Sequence, residues 1–147
     1  MTGEPENAGE LTHLDGSGRA RMVDISGKPV TQRLARASGC IRMQPATLEA
    51  IRQNAVVKGD VLAVARLAGI LAAKRTWELI PLCHQLPLDW VQVDFALEAD
   101  RIHIRAEAKA FAKTGVEMEA LTAAAVAGLT LYDMLKALGK GMVLENL

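Results

Sequence analysis

Several ionisable side chains lie within an apolar stretch near the end of the chain. Residues 113–136 read KTGVEMEALTAAAVAGLTLYDMLK, and Glu117, Glu119, Asp133 and Lys136 are the charged groups after the initial lysine. Moving a carboxylate or an ammonium group out of water is costly unless the charge is paired. Charges in such a segment are therefore typical either of structural ion pairs or of a working site.

Asp133 and Lys136 have the spacing of a helical contact, because residues three apart project from one face of a helix. One interpretation is an exposed ion pair near a helix C-terminus, where the helix dipole favours a lysine. The other is a catalytic pair, in which the lysine acts as a general acid while the carboxylate orients it and tunes its pKa. Spacing alone favours the ion pair.

Glu117 and Glu119 lie near the start of the same predicted helix, where the dipole favours carboxylates. Glu119 and Asp133 are fourteen residues apart, which corresponds to about 21 Å along a helix. One copy of this helix cannot gather both carboxylates around one small atom. A substrate as long as a nucleoside triphosphate could span the distance, or a neighbouring subunit could supply the missing groups.

Two further candidates lie upstream. Lys58 directly precedes Gly59 and Asp60 at a predicted helix start, where free N–H groups and an ammonium group would form an anion site. An ordinary N-cap beside a solvated lysine explains the same residues. His84 follows Cys83 in a predicted loop, and histidine, which titrates near neutral pH, can donate a proton or bind phosphate there. A hydrogen-bonded core histidine is the alternative.

The sequence offers little for a metal ion. Three histidines and two cysteines, without a CxxC pair, cannot supply four ligands at zinc-like spacing, so no metal site is predicted. The basic candidates for anion binding are Arg33, Lys74, Arg75 and Lys113. Lys74 or Arg75 could instead pair with Glu78.

Size, charge and cysteine content exclude several classes of protein. The 147 residues fit one domain, predicted at 19–147 after a polar, flexible tail at 1–18. Basic and acidic residues balance at 17 each and aromatic residues make up 3% of the chain, which argues against nucleic-acid binding. The longest charge-free apolar stretch, 120–132, is too short to span a membrane. Two isolated cysteines and the lack of an apolar signal core predict a cytoplasmic protein.

Hydrophobic periodicity predicts an α+β fold. Strands are expected at 20–25, 30–43, 91–97 and 102–108, and helices at 45–54, 60–74 and 116–138. Helix 60–74 is apolar nearly all round, so it belongs to the core, to a subunit interface or to both. Helix 116–138 is rich in alanine, which permits close packing on the sheet or on a second copy. The order of elements fits a ferredoxin-like antiparallel sheet with helices on one face.

Five blocks of the sequence resemble the MoaC family, molybdenum cofactor biosynthesis protein C. The blocks are Met22-Val-Asp24, Lys58-Gly-Asp60, Ala73-Lys-Arg-Thr-Trp77, Ile80-Pro-Leu-Cys-His84 and residues 113–136. The resemblance covers residues 11–147 without large gaps. Members of that family are cyclic pyranopterin monophosphate synthases, which convert a cyclised dihydro-GTP to cyclic pyranopterin monophosphate and pyrophosphate. The resemblance thus implies a phosphorus-oxygen lyase of molybdenum cofactor biosynthesis.

The resemblance also implies a role for each candidate residue. Asp133 and Lys136 would transfer protons, and Lys58 and His84 would transfer protons or stabilise the phosphate side. Substrate binding is implied for Leu82, Cys83, His84, Met118 and Glu119, and anion binding for Arg33, Lys74 and Lys113. The implied assembly is a homohexamer, a trimer of dimers, of ferredoxin-like subunits with the site at a subunit boundary. No redox cofactor is implied, and a role for Mg²⁺ with the triphosphate is left open.

Two alternatives frame these expectations. Ferredoxin-like domains host many functions, so a non-catalytic oligomeric module that binds a nucleotide or metabolite is the rival to an enzyme. If the site is shared between subunits, we expect Lys58 and Asp133 to come from different copies of the chain.

Overall fold

A four-stranded antiparallel sheet forms the centre of the domain. The computed structural model describes residues 12–147, so residues 1–11 of the predicted tail lie outside the described residues. The elements in chain order are β1 (Thr31–Arg42), α1 (Pro45–Arg52), α2 (Val61–Lys74), α3 (Thr76–Leu79), β2 (Trp90–Leu97), β3 (Arg101–Ala112), α4 (Glu117–Leu135) and β4 (Val143–Glu145). The strand order is β2-β3-β1-β4. Helices join β1 to β2 and β3 to β4, which confirms the predicted α+β, ferredoxin-like arrangement.

One face of the sheet is apolar and lies under the helices. Along β3 the even-numbered residues from Ile102 to Ala112 are buried, whereas Arg105 and Phe111 on the other face are exposed. The cross-strand partners of the buried positions continue this face into β2, where Val93 pairs with Ala106. The alternation along each strand therefore places the core between the sheet and the helices, as the sequence predicts.

The predicted strand at 20–25 is wrong. In this segment only Ala20 makes a bridge, to Leu14, and the chain then turns at residues 26–28. The carboxylate of Asp24 accepts hydrogen bonds from the backbone N–H and the hydroxyl of Ser26, at 2.9 and 2.7 Å. This local turn satisfies polar groups that a strand would need a neighbour to satisfy. The short elements α3 and β4 were not predicted.

The two long helices, α2 and α4, pack against each other with little space between them. A Cβ atom at Gly69 would lie 2.9 Å from the carbonyl oxygen of Ala123 and 3.3 Å from the Cβ of Ala127. Glycine and alanine thus allow the close approach that the composition of α4 predicts. The start of α2 lies beside the end of α4, because Lys58 contacts Asp133, so the two helices run antiparallel.

Not all of the apolar surface of these helices is covered within one chain. On α2, Val64, Leu67 and Leu71 are 45%, 58% and 47% exposed. On α4, Leu129 is 58% exposed. The helix α4 is long and apolar enough to cross a membrane by length and composition, but it packs on the sheet and on α2 as a core helix does.

Candidate active site

A pocket of about 310 Å³ opens where the start of α4 meets the loop after α3. Its lining includes the complete predicted substrate-binding group, namely Leu82, Cys83, His84, Met118 and Glu119. Residues that the sequence did not single out complete the wall: Thr12, His13, Val23, Lys28, Leu86, Thr114 and Gly115, with Glu117 at the helix start. The fold thus brings together two sequence blocks that are separated by the whole β2–β3 hairpin.

His84 is held by the main chain of the segment before β1. Its Nε2 atom lies 2.7 Å from the carbonyl oxygen of Val23. A carbonyl oxygen can only accept a hydrogen bond, so Nε2 carries the proton. The Nδ1 atom is therefore the nitrogen that is left for a ligand. The sequence left two alternatives open for His84, a buried core histidine and a solvent-accessible site residue. The side chain is half-buried, so its exposure is intermediate between the two.

Two of the predicted anion-binding cations lie near the same segment. The ammonium group of Lys113 donates a hydrogen bond to the carbonyl oxygen of Ser26 at 3.0 Å. The guanidinium group of Arg33 reaches the carbonyl oxygen of Lys113 at 3.4 Å. Neither cation forms an ion pair within residues 12–147.

The carboxyl group of Glu119 is the most deeply buried acid of the pocket. Glu119 is 4% exposed, and burial raises the pKa of its carboxyl group above the usual value, with a further contribution from the charge of Glu117. Burial, and then the charge of Glu119, raise the pKa of the Cys83 thiol. A thiol with a raised pKa is a poor nucleophile, so the pocket favours hydrogen bonding by Cys83 over covalent chemistry.

A second group of predicted residues lies at the end of α4. The ammonium group of Lys136 is 2.7 Å from one carboxylate oxygen of Asp133, and that of Lys58 is 3.6 Å from the other. Lys136 lowers the pKa of Asp133 by a hydrogen bond and by its charge, and Lys58 adds to this effect. The hydrogen bond to Asp133 raises the pKa of Lys136. We call these three residues the α4-end cluster.

The α4-end cluster is exposed in one chain, so its geometry there is that of a surface ion-pair network. Lys58 and Asp133 belong to the same copy, because Lys58 also donates a hydrogen bond to the Asp133 carbonyl oxygen at 3.0 Å. The expectation that these two residues come from different subunits is therefore wrong. It rested on the apolar surface of α2 and the alanines of α4, and neither feature reports that antiparallel packing places the start of α2 at the end of α4.

The pocket and the α4-end cluster lie at opposite ends of the α2–α4 pair. Glu119 and Asp133 both lie on α4, and fourteen residues of helix separate them by about 21 Å. Lys74, the last residue of α2, is exposed at the pocket end. Within residues 12–147 neither Lys74 nor Arg75 forms an ion pair with Glu78, so that alternative is not supported.

The sequence pattern of one protein family matches the part of the chain that carries every predicted site residue. The sequence model of the MoaC family matches residues 22–147. The chain belongs to the MoaC family. The match begins at Met22, so it includes the segment that holds His84 and Lys113, the α4-end cluster and all of the pocket lining except Thr12 and His13.

Curated proteins of this kind are similar to the chain over nearly its full length. A cyclic pyranopterin monophosphate synthase of Novosphingobium aromaticivorans is 61% identical over 136 residues, which cover 92% of this chain and 87% of the relative. Those of Thermomicrobium roseum and a Nostoc species are each 57% identical, over 94% and 97% of this chain and 84% and 86% of the relatives. The similarity to MoaC proteins is thus spread over the whole domain.

Sequence reasoning missed the contacts that the main chain makes in this MoaC domain. The carbonyl groups of Val23 and Ser26 have no side-chain signature, so no residue pattern could reveal their bonds to His84 and Lys113. A turn at Ser26-Gly27 is predicted by its serine and glycine and is present, but the Asp24 cap was missed, although an aspartate two residues before a serine commonly caps a turn. Among residues 12–147 no group of three histidine, cysteine, aspartate or glutamate side chains is placed to hold a metal ion.

Proposed function

We propose that this chain is a cyclic pyranopterin monophosphate synthase that converts a cyclised dihydro-GTP to cyclic pyranopterin monophosphate and pyrophosphate. One observation is the main support for the proposal. The pocket contains His84 and the buried carboxyl group of Glu119. Arg33 and Lys113 lie near it, and the chain is 61% identical to a curated cyclic pyranopterin monophosphate synthase. Both the enzyme class, a phosphorus-oxygen lyase, and the substrate are part of this proposal.

The chemistry requires an anion site and proton transfer. Closing a cyclic monophosphate from a triphosphate forms one P–O bond at the innermost phosphorus and breaks its bond to the departing pyrophosphate. Arg33, Lys74 and Lys113 lie at the pocket end and supply positive charge for the phosphates. Leu82, Cys83, Met118 and Glu119 would hold the ring system, and His84 would exchange a proton with it through Nδ1.

The α4-end cluster enters the proposal through a second copy of the chain. Asp133 and Lys136 are too far from the pocket of their own chain to reach a substrate bound there. The exposed apolar residues Val64, Leu67 and Leu71 lie on the face of α2 between the two groups. A two-fold contact through this face would bring the cluster of one copy to the pocket of the other, because a two-fold axis interchanges the ends of the helix pair. The proposed assembly is a homohexamer, a trimer of dimers, with the site at this boundary.

A direct assay tests the proposal. The purified protein is incubated with the cyclised dihydro-GTP, with and without Mg²⁺, and pyrophosphate release and pterin fluorescence are followed together. We expect stoichiometric pyrophosphate and pterin from the wild type. Tight binding of the intermediate without either product would instead support a non-catalytic binding module. A Lys140→Ala variant is a matched control, because Lys140 is an exposed lysine near the same chain end that lies outside the proposed site.

A further inference from the structure

The segment Met22–Ser26, which leads into the turn capped by Asp24, contacts two residues of the proposed site through its main chain. His84 Nε2 donates a hydrogen bond to the carbonyl oxygen of Val23 at 2.7 Å. Lys113 Nζ donates one to the carbonyl oxygen of Ser26 at 3.0 Å. Val23 also lines the pocket, so the turn lies at the pocket wall and not on a distant surface. Nothing in the proposed reaction assigns a task to this turn.

Asp24 is the residue that shapes the turn. One of its carboxylate oxygens accepts hydrogen bonds from both the N–H and the hydroxyl group of Ser26, at 2.9 and 2.7 Å. The backbone N–H of Lys28 donates a hydrogen bond to the carbonyl oxygen of Ile25 at 3.0 Å, which forms the β-turn that follows Asp24. Val23 and Ser26 flank Asp24 closely in sequence, so the direction of both carbonyl groups depends on the backbone angles that this side chain fixes.

The carboxylate of Asp24 also interacts electrostatically with His84 and Lys113. The hydroxyl and backbone hydrogen bonds from Ser26 lower the pKa of Asp24, and the charges of His84 and Lys113 lower it further. Asp24 thus stays ionised at neutral pH while it holds the turn. Asp24 is not itself one of the residues that line the pocket.

The hydrogen bond to Val23 determines which nitrogen of His84 can exchange a proton with a ligand. Because the carbonyl oxygen accepts, the neutral ring carries its proton on Nε2 and its lone pair on Nδ1. Proton exchange with a ligand in the pocket then takes place at Nδ1. If the turn were lost, the ring could populate both tautomers and rotate away, and Lys113 would lose its anchor.

The geometry points to Asp24 as a positioning residue, whose carboxylate folds the turn that fixes the His84 tautomer and anchors Lys113 for the proposed reaction. The activity measurements rest on the proposed function, but the tautomer can be measured without a substrate. A wild-type protein with no synthase activity would therefore overturn the function and leave the test of the turn intact.

Two substitutions of Asp24 separate its hydrogen bonds to Ser26 from its negative charge. Asp24→Asn keeps an oxygen that can accept from Ser26 but removes the negative charge, whereas Asp24→Ala removes both. We expect Asp24→Ala to lower kcat on the order of 10- to 100-fold, as small displacements of reacting groups do. The change in KM should be smaller, and Asp24→Asn should retain kcat to within a few-fold. Asp100→Ala, which removes a carboxylate that is hydrogen-bonded to Arg101 at the far end of the β2–β3 hairpin, is the matched control.

The tautomer of His84 distinguishes a positioning role from a merely structural one, because a merely structural role of Asp24 would leave the tautomer unchanged. Long-range ¹H–¹⁵N spectra of the free protein, above the pH at which the ring is protonated, should give the Nε2–H form in wild type and Asp24→Asn. Asp24→Ala should give averaged nitrogen shifts. If Asp24→Ala fails to fold, Ser26→Ala, which removes only the hydroxyl bond, should produce a smaller shift in the same direction. The proposal is overturned if Asp24→Ala keeps the wild-type tautomer, or if Asp24→Asn is as inactive as Asp24→Ala.

Discussion

Lys58 donates a hydrogen bond to the main-chain carbonyl oxygen of Asp133, 75 positions later in the chain, at 3.0 Å. Its ammonium group is also 3.6 Å from the Asp133 carboxylate. This contact ties the loop before α2 to the end of α4 and fixes which candidates one chain can bring together. Lys58, Asp133 and Lys136 form one cluster, and the pocket with His84 and Glu119 forms another.

Replacement of Lys136 by alanine tests whether the α4-end cluster is more than a surface ion pair. Lys136 is exposed, so its truncation leaves no core cavity and should leave the melting temperature and the oligomer size nearly unchanged. If the lysine acts as a general acid, turnover should fall by about 100-fold or more. Pyrophosphate release, measured beside Lys140→Ala, checks this expectation. Near-normal turnover by Lys136→Ala would support the ion-pair interpretation.

Mixing two inactive variants tests whether the pocket and the cluster meet between copies. His84→Ala chains and Lys136→Ala chains are unfolded together and refolded. In a mixed dimer, one site carries both lesions and the other carries none. Random pairing should therefore restore about a quarter of the wild-type activity, because half of the dimers are mixed and half of their sites are intact.

The same experiment has an internal control in the α4-end cluster. Lys58 and Lys136 flank the same Asp133 in one chain, so Lys58→Ala mixed with Lys136→Ala should give no more activity than the sum of the two parents. Native mass spectrometry must detect mixed oligomers in both samples. Absence of rescue in the His84–Lys136 mixture, despite confirmed mixing, would contradict the shared site.

We also predict that the site, including His84, is active without a bound zinc ion. His84→Ala should lose most of its turnover, whereas treatment of the wild type with a chelator should leave it folded. The reason is the shortage of ligands. The sequence cannot supply four ligands at zinc-like spacing, and within residues 12–147 no three suitable side chains lie together. Circular dichroism and metal analysis of the purified protein provide the measurements. One zinc ion per chain would refute the assignment of His84.

The buried carboxyl group of Glu119 predicts a pH dependence of stability. Burial raises its pKa in the folded chain above the ordinary value of 4.5. Between the unfolded and the folded pKa, the folded chain binds more protons, so the wild type loses stability as the pH rises through this window. Glutamine cannot ionise, so Glu119→Gln should gain in melting temperature relative to wild type as the pH rises from 4.5, and the gain should then level off.

Glu78→Gln is the matched control for this comparison. It removes an exposed carboxylate from α3 without removing a buried one. Thermal melts of the three proteins between pH 4 and pH 8 would give the two difference curves, a range chosen to bracket ordinary carboxyl and histidine titration. A flat curve for Glu119→Gln, or one that falls with pH, would mean that burial does not destabilise the ionised form of this acid.

The sequence by itself determined the elements whose side chains repeat with a clear period. The alternation along 91–97 and 102–108 predicted the β2–β3 hairpin, and the apolar residues of 60–74 and 116–138 predicted α2 and α4. Periodicity reports which face of a local element is buried, so these assignments needed no partner. The motifs around His84 and Lys136 likewise named the candidate residues, although not their neighbours.

The tertiary structure decided what those residues touch. The strand β4 is three residues long and exists because the edge of β1 accepts it, so no local pattern could predict it. The segment at 20–25 has an apolar character that suggested a strand, but Asp24 caps a turn there and the carbonyl groups face His84 and Lys113. The antiparallel packing of α2 on α4 placed Lys58 beside Asp133 and away from the pocket. Contacts between distant segments, and those made by main-chain atoms, depend on how elements pack and leave no periodic trace in the order of side chains.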